Sequence, residues 1–175
     1  MASLLLHICC GPCSLYPIKV LKDLKFQIKG FFYNPNIHPT MEYMKRRDTV
    51  KAYISQSELP VMFESYNPEE YFKNLSDYEN RCFSCYELRL EKTASTAKRN
   101  GSDYFSTTLL YSIRQKHDMI KSIALEKERK YGVKFYYHDF REGWRWAIEE
   151  SKQLGMYRQN YCGCIFSEKE RFYKE

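Results

Sequence analysis

Short apolar runs alternate with longer amphipathic or charged runs along the whole chain, and that alternation leaves few folds open. Residues 4–8, 27–33, 60–65, 103–110 and 133–137 have the length and apolar content of buried strands. Residues 14–24, 38–57, 80–99, 113–131 and 143–154 read as helices, a shorter helix opens at Asn67-Pro68, and a charged helix closes the chain. Ser14 and Thr40 are the expected helix starts, and Asn100-Gly101, Gly132 and Gly155 the stops. Strands that alternate with helices pair in parallel and need cover on both faces. The expected architecture is a single α/β domain over residues 1–175, Rossmann-like, with a mainly parallel sheet of about five strands and helices on both faces. Ligands of such sheets sit beyond the carboxyl ends of the strands. Cys9 and Cys10 lie at one such end, Thr107-Thr108 at another and His138-Asp139 at a third, so a metal site is expected there.

The seven cysteines are the next constraint. No stretch approaches the ~18–20 apolar residues of a membrane span. The N-terminal apolar run is too short and lacks the basic start of a signal peptide, so a cytoplasmic protein is expected. In a reducing compartment clustered cysteines more often bind metal or carry out redox chemistry than staple a fold. Here they form three groups, Cys9/Cys10/Cys13, Cys82/Cys85 and Cys162/Cys164, with none left over.

Compact zinc modules separate their cysteine pairs by about 15–20 residues. The stretches from Cys13 to Cys82 and from Cys85 to Cys162 are far longer, so any shared metal site must be assembled by the fold. A structural zinc is one outcome of thiolate coordination. An iron–sulfur cluster, which needs four ligands, is another. A bend at Gly11-Pro12 lets Cys9 and Cys10 face one centre, and Cys82 and Cys85 share a face within a helical turn. Cys13 is then extra, as a ligand of a second metal or as a helix-start thiol. Cys162-Gly163-Cys164 is different: one intervening residue makes a small, strained ring on oxidation, and strained disulfides are readily reduced. Two further metal ligands is the alternative for that pair. A one-electron cluster beside a two-electron dithiol would make a reductase.

Several stretches, taken in order, are similar to those of the cobalamin-independent epoxyqueuosine reductases: LLLHICCGPCS, GFFYNPNIHP, ENRCFSCYELRL, STTLLYSIRQKH, HDFREGW and YRQNYCGCIFSEKER. The resemblance implies reduction of the epoxide of epoxyqueuosine to the alkene of queuosine, at the wobble position of tRNAs for Asp, Asn, His and Tyr. It implies a [4Fe-4S] cluster on Cys9, Cys10, Cys82 and Cys85, a redox pair Cys162/Cys164, an electron donor, no cobalamin and no membrane. A second mononuclear iron is compatible with it, on Cys13 and an acidic residue, for which Asp139 is the candidate both as ligand and as catalytic group.

Other residues carry weaker expectations. His38, His117, His138 and Asp139 are candidate proton donors, although a lone histidine is more often structural. The formal charge of +6 permits an anionic partner. Lys45-Arg46-Arg47 is either a phosphate contact or, more ordinarily, a solvated helix face, and Arg158 and residues 169–171 are further phosphate candidates. Arg158-Gln159-Asn160-Tyr161 sets donors and a ring beside the dithiol, where a splayed base would be read. Trp144 and Trp146 stack on a ligand or pack on the core. Thr107, Thr108 and Ser112 bind a phosphate or cap the next helix, and Gln115 and His117 face the cleft or solvent. Cys10-Gly11-Pro12-Cys13, with a single glycine and no lysine, stands where an ATP-binding relative would carry a phosphate loop, so nucleotide hydrolysis is disfavoured. The competing readings are a zinc-stabilised tRNA-binding protein and a tRNA-thiolation-type protein. The ending Tyr173-Lys174-Glu175 offers no folded stop.

Overall fold

The computed structural model describes residues 1–173; Lys174 and Glu175 lie outside the described residues. The five expected strands are β1 (Ser3–His7), β2 (Gln27–Phe32), β3 (Val61–Phe63), β4 (Tyr104–Thr107) and β5 (Lys134–Phe135). They form one all-parallel sheet in the order β3-β2-β1-β4-β5. β1 runs down the centre, with Leu5 in register with Lys29 on one side and Phe105 on the other. Its Leu4, Leu5 and Leu6 are all buried, as a strand covered on both faces requires.

The helices are α1 (Gly11–Asp23), α2 (Thr40–Ser57), α3 (Pro68–Asn74), α4 (Arg81–Arg99), α5 (His117–Tyr131), α6 (Trp144–Gln153) and α7 (Ile165–Phe172). α1 packs with α2 and α6, and α4 packs with α5. Lys127 of α5, buried against α4, joins those two helices through Glu87 at 3.0 Å and Glu91 at 3.2 Å. The chain moves outward from β1 to β3, then crosses back to β4 beside β1. The carboxyl ends of β1 and β4 therefore bound the crevice where a doubly wound sheet takes its ligand. Among the described residues no helix is long and apolar enough to cross a membrane.

Several expected boundaries move, three of them for a plain local reason. α1 starts before Ser14, because the Cys10 sulfur caps it by accepting from the Cys13 N–H at 3.4 Å, and Pro12 fits the first turn. β4 stops at Thr107 rather than running to residue 110, because the Thr107 hydroxyl accepts from the Leu109 N–H at 3.1 Å and starts a 3-10 turn over Thr108–Tyr111. α5 begins at His117 rather than at 113, after a loop in which the Ser112 hydroxyl accepts from the Arg114 N–H at 3.2 Å.

His7 ties three strand ends together. Its Nε2 lies 3.0 Å from the Tyr33 carbonyl and its Nδ1 3.0 Å from the Thr107 hydroxyl. A carbonyl can only accept, so Nε2 carries the hydrogen and Nδ1 accepts from Thr107. Burial and the nearby Arg89 charge lower its pKa to about 4, which keeps the ring neutral.

On the other side of the crevice Gly143 lies under the Tyr16 ring, where an added Cβ would come within 2.0 Å of Cγ. Gly143→Ala is expected to push Tyr16 off this seat and to destabilise the fold by about 1–3 kcal/mol, the usual range for overpacking. Urea denaturation compared with the parent protein measures it.

Candidate metal centre and cleft

The chain leaves β1 through Ile8 and places Cys9 and Cys10 just beyond the sheet, with Cys13 in the first turn of α1. The three sulfurs lie within 4.8 Å of one another, and those of Cys9 and Cys10 are 3.9 Å apart. Thr108, at the end of the neighbouring strand, accepts the Cys9 N–H at 3.0 Å and donates its hydroxyl to the Cys9 sulfur at 3.2 Å. Gln159 donates to the Cys10 sulfur at 2.9 Å. Hydrogen bonds from Cys10, Cys13 and Thr108 hold the Cys9 thiol well below the usual thiol range. Burial pushes Cys10 up, and proton sharing with Cys10 and Cys9 pushes Cys13 up. The N-terminus of α1 also favours negative charge on the triad.

Cys82 and Cys85 lie in the first turn of α4, three residues apart and so on one face. Cys85 is buried and packs with Tyr71 of α3 and with Cys164 at the start of α7. Burial pushes its thiol up to about 12 against the pull of Arg89. One turn on, the buried Arg89 directs Nη2 at the Cys85 sulfur at 3.1 Å and Nε at the Cys85 carbonyl at 3.2 Å. Its charge pulls the Cys162 thiol down as well as Cys85, and it lines one cleft with Cys9, Cys13 and Cys162.

The dithiol segment is held by the stretch that follows β2. Arg46 of α2, paired with Glu42 at 2.7 Å, donates to the carbonyls of Cys162 at 2.8 Å and Tyr161 at 3.1 Å. The His38 N–H donates to the Gly163 carbonyl at 2.8 Å, and the Tyr161 hydroxyl donates to the His38 carbonyl. Gln115 donates to the Cys162 sulfur at 3.3 Å.

Above the thiols opens a cleft of about 530 Å³. Cys9, Cys13 and Cys162 line it, together with Tyr111 and Trp144, whose rings stack at 5.2 Å and 25°. Arg46, Arg89, Arg114, Arg158 and Arg171 also line it, against a single carboxylate, Glu170, which is engaged by Arg81. A larger depression of about 840 Å³ along α7 carries no thiol and lies at the surface.

The model of the family described as epoxyqueuosine reductase QueH matches residues 4–170. The chain belongs to this family. Its members are named as reductases, and the family is one of oxidoreductases. The chain is 42% identical to the epoxyqueuosine reductase QueH of Thermotoga maritima, over 98% of this chain and 93% of that protein. It is 41% identical to that of Dehalococcoides mccartyi, over 98% and 95%. Among solved structures it is similar to the U34-tRNA thiolase NcsA of Methanococcus maripaludis with its [4Fe-4S] cluster (TM-score 0.57, 12% identity, 95% of this chain and 61% of that one). It is also similar to a predicted subunit of tRNA methyltransferase from Methanocaldococcus jannaschii (TM-score 0.57, 12% identity, 87% and 75%). At that identity these two show the fold, and it is the α/β fold expected of the sequence.

Within this QueH-family fold the expected residues divide. Cys9, Cys10 and Cys13 come together as one triad, and Gln115, Trp144 and residues 158–161 line the cleft. Asp139 does not line it: the carboxylate caps the 3-10 turn over Phe140–Gly143 and is gripped by Arg141 at 2.8 and 2.5 Å, which lowers its pKa to about 2. His38, His117 and His138 are also absent from the lining; they bond to the Ile165 N–H, the Ser112 carbonyl and Glu142 respectively. Arg46 is neither solvated nor free for phosphate, being buried on Glu42, whereas Arg47 pairs with Asp48 at the surface. Trp146 is exposed and leans on Tyr16.

Sequence reasoning missed Arg89 and the sulfur contacts of Thr108 and Gln159. For Arg89 the signal was present, since a residue four after Cys85 on a helix shares its face.

Two outcomes follow from this geometry. Asp139→Asn is expected to leave bound iron and sulfide per chain at the parent level, read by metal and sulfide analysis, and to cost at most about 1 kcal/mol, as for an exposed ion pair. Gly163 has φ +145°, and a Cβ there would lie 3.2 Å from Arg46 Nη1. Gly163→Ala is expected to strain the dithiol turn and destabilise by about 1–3 kcal/mol, with faster thiol alkylation at Cys162 as the local readout.

Proposed function

We propose that this chain reduces the epoxide of epoxyqueuosine in tRNA to the alkene of queuosine, with Cys9, Cys10, Cys82 and Cys85 holding a [4Fe-4S] cluster and Cys162/Cys164 acting as a redox dithiol. The observation that carries this reading is a cationic cleft where the strand order reverses, lined by Cys9, Cys13 and Cys162 and by Arg89, which holds the sulfur of Cys85. The donors suit the cofactor: they are soft thiols, and the buried Arg46 and Arg89 favour the thiolate forms and an anionic centre. When bound, such a cluster supplies electrons one at a time. Cys13, the thiol left over from the four, is available to a second mononuclear iron. Asp139 has no part in this reading, and neither has cobalamin.

The chain's own residues complete the chemistry. Converting an epoxide to an alkene and water takes two electrons and two protons. A dithiol closing to a disulfide releases that number of each, while its two sulfurs are oxidised. The single residue between Cys162 and Cys164 keeps the disulfide strained, so an external electron donor can reopen it in the cytoplasm. Tyr111 and Trp144 offer an aromatic platform on which a splayed wobble base stacks. The exposed Arg114, Arg158 and Arg171 face the phosphates on either side of it. The tRNAs served are those with a queuosine-type wobble base, for Asp, Asn, His and Tyr. The likeness to a U34-tRNA thiolase that carries a [4Fe-4S] cluster supports both a cluster and a tRNA in this fold.

One observation favours a second reading, a zinc-stabilised tRNA-binding protein. The 3.9 Å between the Cys9 and Cys10 sulfurs is close to the edge of a tetrahedral zinc–thiolate site, about 3.8 Å for 2.3 Å bonds. Iron, acid-labile sulfide and zinc per chain, measured on anaerobically purified protein with an EPR spectrum after reduction, separate the two. The expected result is iron and sulfide in comparable amounts with a reducible cluster signal. Cys9→Ser should lose that signal and turnover of epoxyqueuosine-containing tRNA together. Stoichiometric zinc without sulfide, even after anaerobic reconstitution, overturns the reductase reading in favour of zinc.

A further inference from the structure

Most buried cations of this fold have carboxylate partners. Lys127 sits among Glu87, Glu91 and Glu126, and Arg46 pairs with Glu42. Arg89 differs. It is only 2% exposed, and among the described residues no carboxylate pairs with it. Its polar contacts are the sulfur and the carbonyl of Cys85, and the Tyr86 ring lies 5.8 Å from its guanidinium carbon. A guanidinium cannot escape the desolvation cost by losing its proton. Leaving a charge of that kind buried without a counter-ion is strongly unfavourable. The nearby groups able to take negative charge are the thiols Cys85, Cys162 and Cys9 and the phenol of Tyr86, whose burial opposes its ionisation. His7, close by on the other side, is kept neutral by its burial and by the Arg89 charge itself.

We infer that Arg89 is the built-in counter-cation of the metal centre, a positioning residue that orients Cys85 and raises the reduction potential of the cluster. The inference rests on the cluster reading given above and adds to it a residue that is not a ligand. Two features make the arrangement specific. The Nε contact to the Cys85 carbonyl fixes the guanidinium plane on its own helix, and Nη2 is thereby aimed at the sulfur one turn back. A thiolate-bound cluster gains one negative charge on reduction, and a fixed cation that hydrogen-bonds a ligand sulfur stabilises the more negative form more strongly. The potential therefore rises, and the same cation favours the thiolate needed when the cluster assembles.

The test compares parent protein, Arg89→Lys and Arg89→Gln, each reconstituted anaerobically with iron and sulfide and checked for native circular dichroism. Iron and sulfide per chain are measured, and the midpoint potential is obtained by redox titration followed by EPR. The expected result is a more negative potential, or loss of loading, in Arg89→Gln, with Arg89→Lys closer to the parent in both because it keeps the charge. A purely packing role would impair the two variants equally, and that outcome overturns the inference. So does Arg89→Gln loading fully and titrating at the parent potential. If the parent itself takes up zinc and no cluster, the cluster reading falls first and this inference with it.

Discussion

β1 is paired on both edges and covered on both faces, and the location of the chemistry follows from that constraint. A strand in that position must be apolar, which Leu4, Leu5 and Leu6 are, because an ionised or metal-binding group within it would have no solvent and no room. The first place such a chain can present polar groups is its carboxyl end. There His7 satisfies both ring nitrogens on the two neighbouring strands and closes the sheet. Cys9 and Cys10 come next, where the chain turns towards α1. The site is as rigid as the sheet because it begins two residues after the last paired residue of β1.

The electrostatics of the cleft rest on a second constraint. Thiols buried in an apolar setting resist ionisation, as the raised pKa values of Cys10 and Cys85 indicate. A metal centre needs them as thiolates. The fold answers with two buried guanidiniums placed differently. Arg46 spends much of its hydrogen-bonding capacity on Glu42 and on the backbone of residues 161 and 162, so it shapes the dithiol segment. Arg89 has no carboxylate partner among the described residues and directs its charge at sulfur. Removing either one would expose a different dependence: the path of a loop in the first case, the charge balance of the thiols in the second.

The sheet and the grouping of the cysteines were legible in the sequence because both are local signals. An apolar run of five residues followed by a helical period reads as a strand and a crossover wherever it folds. The ends of elements were less legible, since they depend on side chains that compete for the backbone. Ser14 is a better cap by residue type, but the Cys10 sulfur reaches the helix start first, and Thr107 turns the chain out of β4 with its own hydroxyl. Asp139 was misplaced for a related reason. Its neighbour in the chain two residues on, Arg141, takes both carboxylate oxygens, and a strand-end position says nothing of that. Arg46 looked like part of a solvated basic run, although Glu42 one turn earlier marks a buried pair on the inner face.

The segment carrying Cys162 and Cys164 shows how the proposed dithiol chemistry would be attached to the fold. A dithiol that opens and closes needs backbone freedom at its centre, which Gly163 supplies at φ +145°. It also needs fixed ends, or its sulfurs would drift from the cleft. The ends are fixed by backbone contacts: carbonyls 161 and 162 on Arg46, and carbonyl 163 on the His38 N–H. The sulfurs add weaker contacts, Cys162 accepting from Gln115 at the cleft and Cys164 donating to Ser167 at 3.5 Å while it packs inside against Cys85 and Tyr71. In the proposed reading, electrons arriving from outside would reach the outer, solvent-exposed thiol before the inner thiol packed against Cys85.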